Sequence, residues 1–302
     1  MSLTKARYPL ARYWESRRVS GAEVHRMIDS LDPVEDDVEI THLSMEVLTP
    51  PLFAYMGYAS GFARTLGNPA TADRAWRNGT GDQIVKSAKR DLDTLTFFGE
   101  FMRRGHRSPE AQAVFDRIQQ IHGQIGKVSN EGQIHVLGML IFDQERFARY
   151  LGHRWFSDRE NEARFNFWLG VGNGMRLRDM PQTRDDFLAW IDDYEERLFA
   201  PSVAATEVFG GQLKGISAYV PAPMRRPVRD MLIGSLEPRV RELLGFDKPS
   251  VPVTPMVKVG TKALMAARPV VRYRLDRTWV GNFSRFGDDP PIAEMGYQHK
   301  PR

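Results

Sequence analysis

No cysteine occurs among the 302 residues. Disulfides, thiolate-held zinc, iron–sulfur clusters and a cysteine nucleophile are thereby excluded, and a reducing, cytoplasmic setting fits the absence. Long apolar runs are missing as well. Val136 to Phe142, for example, contains Gly138 and falls far short of the roughly 20 residues of a membrane span. The first twenty residues carry Lys5, Arg7, Arg12, Arg17 and Arg18 without the apolar stretch of a secretory signal. Lysine is scarce, nine of the 42 basic residues, so the net charge of +4 rests on arginines dispersed over a mixed surface. The densest basic cluster (Arg103, Arg104, His106 and Arg107) reads as a solvated helix end and not as a nucleic-acid groove, with no aromatics interleaved for stacking on bases.

Motifs of the common nucleotide and hydrolase chemistries are absent too. No glycine-rich loop leads into Lys-Ser or Lys-Thr, and no strand precedes a GxGxxG turn. Neither HExxH nor Gly-x-Ser-x-Gly occurs, and the two Glu-x-x-His motifs that a di-iron bundle requires are not both present. Glu131 and His135 stand four apart, but one such pair makes no metal site. Gly170-Val171-Gly172-Asn173-Gly174 follows an aromatic helical pattern and so reads as close helix packing. Alternating β patterns are scarce.

What is present is helical periodicity. Leu52, Tyr55, Met56, Ala59 and Phe62 form one stripe. A second helix starts near Asp82 and carries Ile84, Val85, Ala88, Leu92, Leu95, Phe98 and Met102 up to Gly105. Ser129-Asn130-Glu131 opens another through Val136, Met139, Leu140, Phe147 and Tyr150. Ser157 and Glu160 make a capping box before Phe165, Trp168 and Leu169, and Thr183 to Asp186 repeats that device before Phe187, Trp190, Ile191, Tyr194 and Leu198. A last helix carries Met231, Leu232, Val240 and Leu244. With 42% hydrophobic and 26% charged residues, the chain reads as all-α: a single bundle of about eight to ten helices. Residues 1–45 are expected as an N-terminal helical extension packed on the core, 46–245 as the main domain, and 246–302 as a proline-punctuated tail. Within that tail, the apolar-basic stretch Lys262 to Arg274 is expected to wrap the domain. Dimerisation and peripheral membrane contact are its other readings.

One helix carries chemistry. Ser108-Pro109 is a helix start, and Ala111, Val114, Phe115, Ile118, Ile121 and Ile125 follow at three- and four-residue steps. His122 falls on that same stripe and therefore points inward. A buried imidazole needs a partner: a carbonyl, a carboxylate or a metal. A core histidine held by a hydrogen bond satisfies this, and so does a heme ligand. A porphyrin asks for an apolar slot, one interior nitrogen, and basic or hydroxyl groups for its propionates. Arg90 and Thr94, four apart on one helix face, meet the last requirement.

Several segments resemble the oxygenase family that includes the mycophenolic-acid pathway oxygenase and the latex-clearing rubber oxygenases. They are Lys89-Arg90-Asp91-Leu92-Asp93-Thr94, Arg117-Ile118-Gln119-Gln120-Ile121-His122, Ser129-Asn130-Glu131, Gly152 to Ser157, Phe167 to Gly172, Asp179-Met180-Pro181 and Asp193-Tyr194-Glu195. The resemblance runs from about residue 45 to 245. It implies an all-α bundle enclosing heme b, with His122 as the iron ligand and Arg90 and Thr94 beside the cofactor. Rubber oxygenases place a lysine, their second axial ligand, immediately before that threonine. Asp93 stands there in this chain, leaving the distal side open or bonding to a backbone group. Phe97, Phe98, Phe142 and Trp168 are candidate pocket walls. His106, His135 and His153 are distal candidates, with His106 and His153 expected to be exposed near helix ends. His25, His42 and His299 belong to no constellation. The implied reaction is attack by O2 on an apolar, unsaturated, isoprenoid or lipid-like substrate, with oxidation or cleavage of the alkene. A non-enzymatic heme or hydrophobic-ligand binder is the alternative, and a helical interaction protein with an ordinary core histidine a third reading.

Overall fold

Cap residues fix where the helices begin. Ser108 accepts from the Ala111 N–H at 3.1 Å and Pro109 takes the first helical position. Ser157 and Glu160 satisfy each other's backbone donors, at 3.2 and 2.7 Å. Ser129 accepts from Gly132 N–H, and Thr183 from Asp186 N–H. Each pairing removes one of the unsatisfied donors of a helix start.

The computed structural model describes residues 10, 13, 17–126, 128–249 and 254–298. Among them the chain is mostly α-helical, with fifteen α-helical segments, eight of which have 14 residues or more. In order these are α1 (Gly21–Asp29), α2 (Asp37–Thr41), α3 (Pro51–Thr65), α4 (Pro69–Trp76), α5 (Asp82–Val85), α6 (Ser87–Arg104), α7 (Pro109–Gln124) and α8 (Asn130–Tyr150). They continue as α9 (Asp158–Gly174), α10 (Arg184–Leu198), α11 (Val203–Tyr219), α12 (Arg225–Ser235), α13 (Pro238–Leu243), α14 (Thr254–Ala267) and α15 (Trp279–Phe283). A π-helical turn, His42–Val47, extends α2. The described strands are β1 (Arg18–Ser20) and β2 (Arg272–Arg274), which pair antiparallel with Val19 opposite Tyr273.

This is more segments than the eight to ten expected, for local reasons. The helix expected from Asp82 to Gly105 breaks at Lys86, whose backbone leaves the helical region at φ −145°. The helix expected through Val240 breaks at Leu236, and Pro238 opens the next one. Residues 1–45 include a strand as well as helices. His299 and most of the first sixteen residues lie outside the described set.

The tail is built into the core, which does not end near residue 245. Leu275, Trp279, Phe283 and Met295 are buried, and β2 joins the tail to β1 near the start of the chain. Trp279 donates from its indole to the Met45 carbonyl at 3.1 Å and from its backbone to Glu46 at 2.5 Å. Glu46 also meets His42 Nδ1 at 2.6 Å, and His42 Nε2 reaches the Leu275 carbonyl at 2.9 Å. Lys262 to Arg274 lies across the end of α14 and β2. The glycine run in α9 marks close packing. A Cβ on Gly170 would lie 2.0 Å from the His106 ring, one on Gly172 2.5 Å from Met180 Sδ, and one on Gly174 2.2 Å from Phe115.

Candidate functional site

Helices α3, α6, α7, α8 and α9, together with the tail at Gly296 and Tyr297, enclose a cavity of about 320 Å³. That volume falls within the range of small-ligand sites. Its walls are largely apolar. Phe97, Phe98 and Phe101 come from α6, Ile118 and Ile121 from α7, and Trp168 from α9. The α7 stripe divides here: its first half (Ala111, Val114 and Phe115) fills the core, while Ile118, Ile121, His122 and Ile125 face the cavity. Phe142 is not part of the wall. It packs on Phe187, 6.1 Å away between ring centres, and under Arg184.

His122 sits on this wall with one nitrogen committed. Its Nδ1 lies 3.2 Å from Gln133 Oε1. Gln133 is oriented by its own amide, whose Nε2 donates to the Val128 carbonyl at 3.5 Å, and by Gln119, which reaches Gln133 Oε1 at 3.4 Å and the Met175 carbonyl at 2.7 Å. An amide oxygen accepts, so the network assigns the proton to Nδ1 and leaves the Nε2 lone pair available. Among the described residues no side chain or carbonyl bonds to Nε2. Burial holds the His122 pKa below its ordinary value; the Gln133 bond opposes that and the Arg90 charge adds to it. The imidazole is neutral near pH 7, the form that ligates a metal.

Arg90 and Thr94 also line the cavity. Arg90 Nη1 donates to Thr94 Oγ1 at 2.8 Å and to the Tyr58 hydroxyl, and the guanidinium lies 4.7 Å from the centre of the Phe62 ring. Asp93 is engaged elsewhere. Its carboxylate accepts from Lys89 Nζ at 2.6 Å, from Arg285 at 3.1 Å and from Gly296 N–H at 3.1 Å. It closes the tail over the cavity, and Lys89 adds a bond to the Gly296 carbonyl at 3.3 Å. Arg117, from the same motif as His122, donates to the Met295 carbonyl at 2.9 Å and the Tyr297 carbonyl at 3.1 Å.

The other histidines stand apart. His106 is not exposed: its Nε2 meets Asp37 at 2.7 Å, and its ring rests edge-on against Phe167. His135 is buried with Glu195 at 2.9 Å, in a cluster where Arg64 binds Glu195 at 2.6 and 2.7 Å. Glu131 is exposed and pairs with Arg197, so it does not join His135. His153 is half-buried beside a separate polar concavity. Asn130 exchanges two hydrogen bonds with the backbone of Arg178, at 2.8 and 3.0 Å, and so pins the loop after α9.

Sequence reasoning missed Tyr58, Gln133 and Asp91. Asp91 is fully buried and accepts from Tyr55, Tyr58 and Gln83 at 2.8, 3.1 and 3.2 Å. Burial pushes its carboxyl up to about 6. A signal existed, since Asp91 precedes Leu95, Phe98 and Met102 by four, seven and eleven residues on the inward stripe of α6.

The lining suits a mostly apolar ligand that turns an acid group toward Arg90 and takes one nitrogen from His122. Among the described residues no three His, Asp or Glu side chains gather as a metal cage. A porphyrin iron asks the protein for only one imidazole, with its other N–H held by an acceptor, and His122 with Gln133 meets that requirement. Among the described residues no helix is long and apolar enough to cross a membrane. No individual curated protein matches the chain significantly. The sequence profile described as ER-bound oxygenase mpaB/B'/Rubber oxygenase, catalytic domain, matches residues 47–272. That span covers about three quarters of the chain, so the protein belongs to this oxygenase family and is an oxidoreductase acting with O2 on an organic substrate.

Proposed function

We propose that the cavity is a heme b site and that the protein oxidises or cleaves an apolar, unsaturated substrate of isoprenoid or lipid-like character. The carrying observation is His122: a neutral imidazole with Nδ1 held by Gln133 and Nε2 without a hydrogen-bond partner among the described residues, on the wall of a cavity lined by Phe97, Phe98 and Trp168. In this reading His122 holds the iron, while Arg90 and Thr94 lie beside the cofactor, and the Arg90 guanidinium, oriented by the Thr94 and Tyr58 hydroxyls that accept from it, takes the propionates. Heme, when bound, supplies the O2 chemistry. The chain's own side chains do the rest. Aromatic walls admit a greasy substrate and exclude water, which strengthens the polar contacts at the Arg90 end. Asp93, locked to Lys89, Arg285 and Gly296, acts by closing the tail over the site. Residues 46–245 supply the helical walls of the oxygenase domain; among the described residues of the flanking segments, 17–45 brace it and 254–298 close it. Absence of cysteine supports a cytoplasmic setting.

The purified protein is expected to show a Soret band that moves with CO after reduction. His122→Ala is expected to abolish the band while the far-UV circular dichroism stays helical. A colourless wild-type protein that ignores added hemin would overturn the heme reading.

A further inference from the structure

Behind the polar edge of the cavity lies a carboxyl group that the oxygenase reading leaves unused. Asp91 follows Arg90 on α6 and is fully buried. Its hydrogen-bond donors are neutral. From α3, Tyr55 donates to Oδ2 at 2.8 Å and Tyr58 to Oδ1 at 3.1 Å; from α5, Gln83 donates to Oδ1 at 3.2 Å. Helix α11 closes the remaining side with Gly215, where a Cβ would lie 2.9 Å from Oδ2. Phe283 of α15 packs on Tyr55 from beyond. Arg90 is the cation whose charge acts on the carboxyl. It does so across one hydroxyl, since Tyr58 accepts from Arg90 Nη1 while donating to Asp91.

One guanidinium therefore balances an internal carboxylate on one side and faces the cavity on the other. If an acid group enters the cavity and settles on Arg90, two negative charges share a single cation. The buried one is shielded from solvent and, among the described residues, has neutral hydrogen-bond donors, so it is the costlier to keep charged. It is the group that relinquishes its charge. Resting on the reading of this cavity as the working site, we infer that it takes apolar molecules carrying an acid group, seated at Arg90, and that seating couples to uptake of one proton by Asp91. The proton comes from solvent and goes to an Asp91 carboxyl oxygen, with no other bond made or broken. By reciprocity, acidification tightens the site for anions as much as anions raise the proton affinity of Asp91. The acid group could be a heme propionate or a carboxylate of the substrate, and the same chemistry serves both.

Other titrating and charged groups face the cavity. His122 is neutral and buried, Lys89 is tied to Asp93, Arg77 lies 3.6 Å from Asp82, and Arg74 is bonded to the Ala70 carbonyl. Protonation of His122 would also favour anions, so the Asp91 variant decides between the two sites.

The test uses the full chain and 1-anilinonaphthalene-8-sulfonate, an apolar anion of constant charge, with neutral Nile red as control. Calorimetric titrations in two buffers of different ionisation enthalpy read proton uptake directly. Between about pH 7.5 and about pH 5.5 the anion is expected to bind wild type about fivefold more tightly, while Nile red stays level. Asp91→Asn is expected to flatten that dependence, and Arg90→Gln to remove the preference for the anion. If Asp91→Asn does not fold, Tyr58→Phe, which removes the bridging hydroxyl, is expected to weaken the coupling. A pH-independent wild type, or a slope that persists in Asp91→Asn, overturns the proposal. Hemin set against its dimethyl ester separates the sources: a proton uptake confined to hemin assigns the acid to the propionates. Uptake with the sulfonate in a chain that ignores hemin refutes the heme reading and leaves this one standing. Heme loading without uptake does the reverse.

Discussion

An imidazole that gives one nitrogen to a fixed acceptor presents the other with a defined lone pair. In this protein the acceptor is the Gln133 amide oxygen, which also accepts from Gln119, while the Nε2 of the same amide donates to the Val128 carbonyl. Gln133→Leu keeps the bulk and removes the acceptor. It is expected to weaken hemin binding by about 10- to 100-fold, with stability falling by about 1 kcal/mol, as read by hemin titration and urea unfolding. A second residue-scale expectation concerns Gly170. A methyl there meets the His106 ring at 2.0 Å, and that ring is held by Asp37 at 2.7 Å, so it cannot swing aside freely. Gly170→Ala is expected to destabilise the fold by about 1–3 kcal/mol in chemical denaturation, whereas Gly210→Ala, with nothing near its added Cβ, is expected to be tolerated. His122 was legible in sequence because it shares a stripe with isoleucines, and the glycine run because it interrupts an aromatic helix. Gln133 was not: a glutamine on a helix is ordinary, and only the fold brings it to His122 from eleven residues away.

Helix starts were the most readable elements, because a cap is a local contract between a side chain and a backbone donor two or three residues on. Ser108, Ser129, Ser157 and Thr183 all keep it. Thr183 departs in one detail. Its acid partner Asp186 bonds the threonine hydroxyl at 2.7 Å, where Glu160 reaches back to the Ser157 backbone. The break at Lys86 was not readable, because the residues around it continue an apolar rhythm, whereas the break at Leu236 had a signal in Pro238, which opens a helix and does not sit inside one. The tail was hardest. Leu275, Trp279 and Phe283 recur every four residues, but α15 is five residues long, it packs on α6, and its hydrogen bonds go to the π-helical turn more than two hundred residues earlier. Trp279 binds that turn by two hydrogen bonds, is 2% exposed, and lines the cavity. Trp279→Ala is expected to cost about 3–5 kcal/mol of stability, and to loosen the cavity enough that hemin dissociates faster in a transfer assay to apomyoglobin. A tail that merely lay on the surface would leave both readings unchanged.

Several ionisable groups are buried among the described residues, and their pH effects oppose one another. Burial lowers the pKa values of His122 and His135, so the native state keeps them neutral while the unfolded chain protonates them. Their contribution is present above the ordinary histidine value and is lost as pH falls below it. Asp91 and Asp143 run the other way, since burial raises both carboxyls. A raised carboxyl means that the native state binds a proton the unfolded chain does not, so its charged form weakens the fold at neutral pH. Stability returns as pH falls through the native value toward the unfolded one. For Asp91 these values are about 6 and 3.8, which makes acidification from about pH 7 to about pH 5 worth on the order of 1 kcal/mol. Asp91→Asn removes that titration and leaves the histidines in place. Urea unfolding of the two proteins across this range is expected to show wild type gaining on the variant as pH falls, by that order. A difference that stays constant with pH would mean that Asp91 is already neutral at pH 7, or that water reaches it in spite of Tyr55, Tyr58 and Gln83. A difference that moves in the opposite direction would mean that Arg90 holds the carboxylate charged more firmly than burial opposes it.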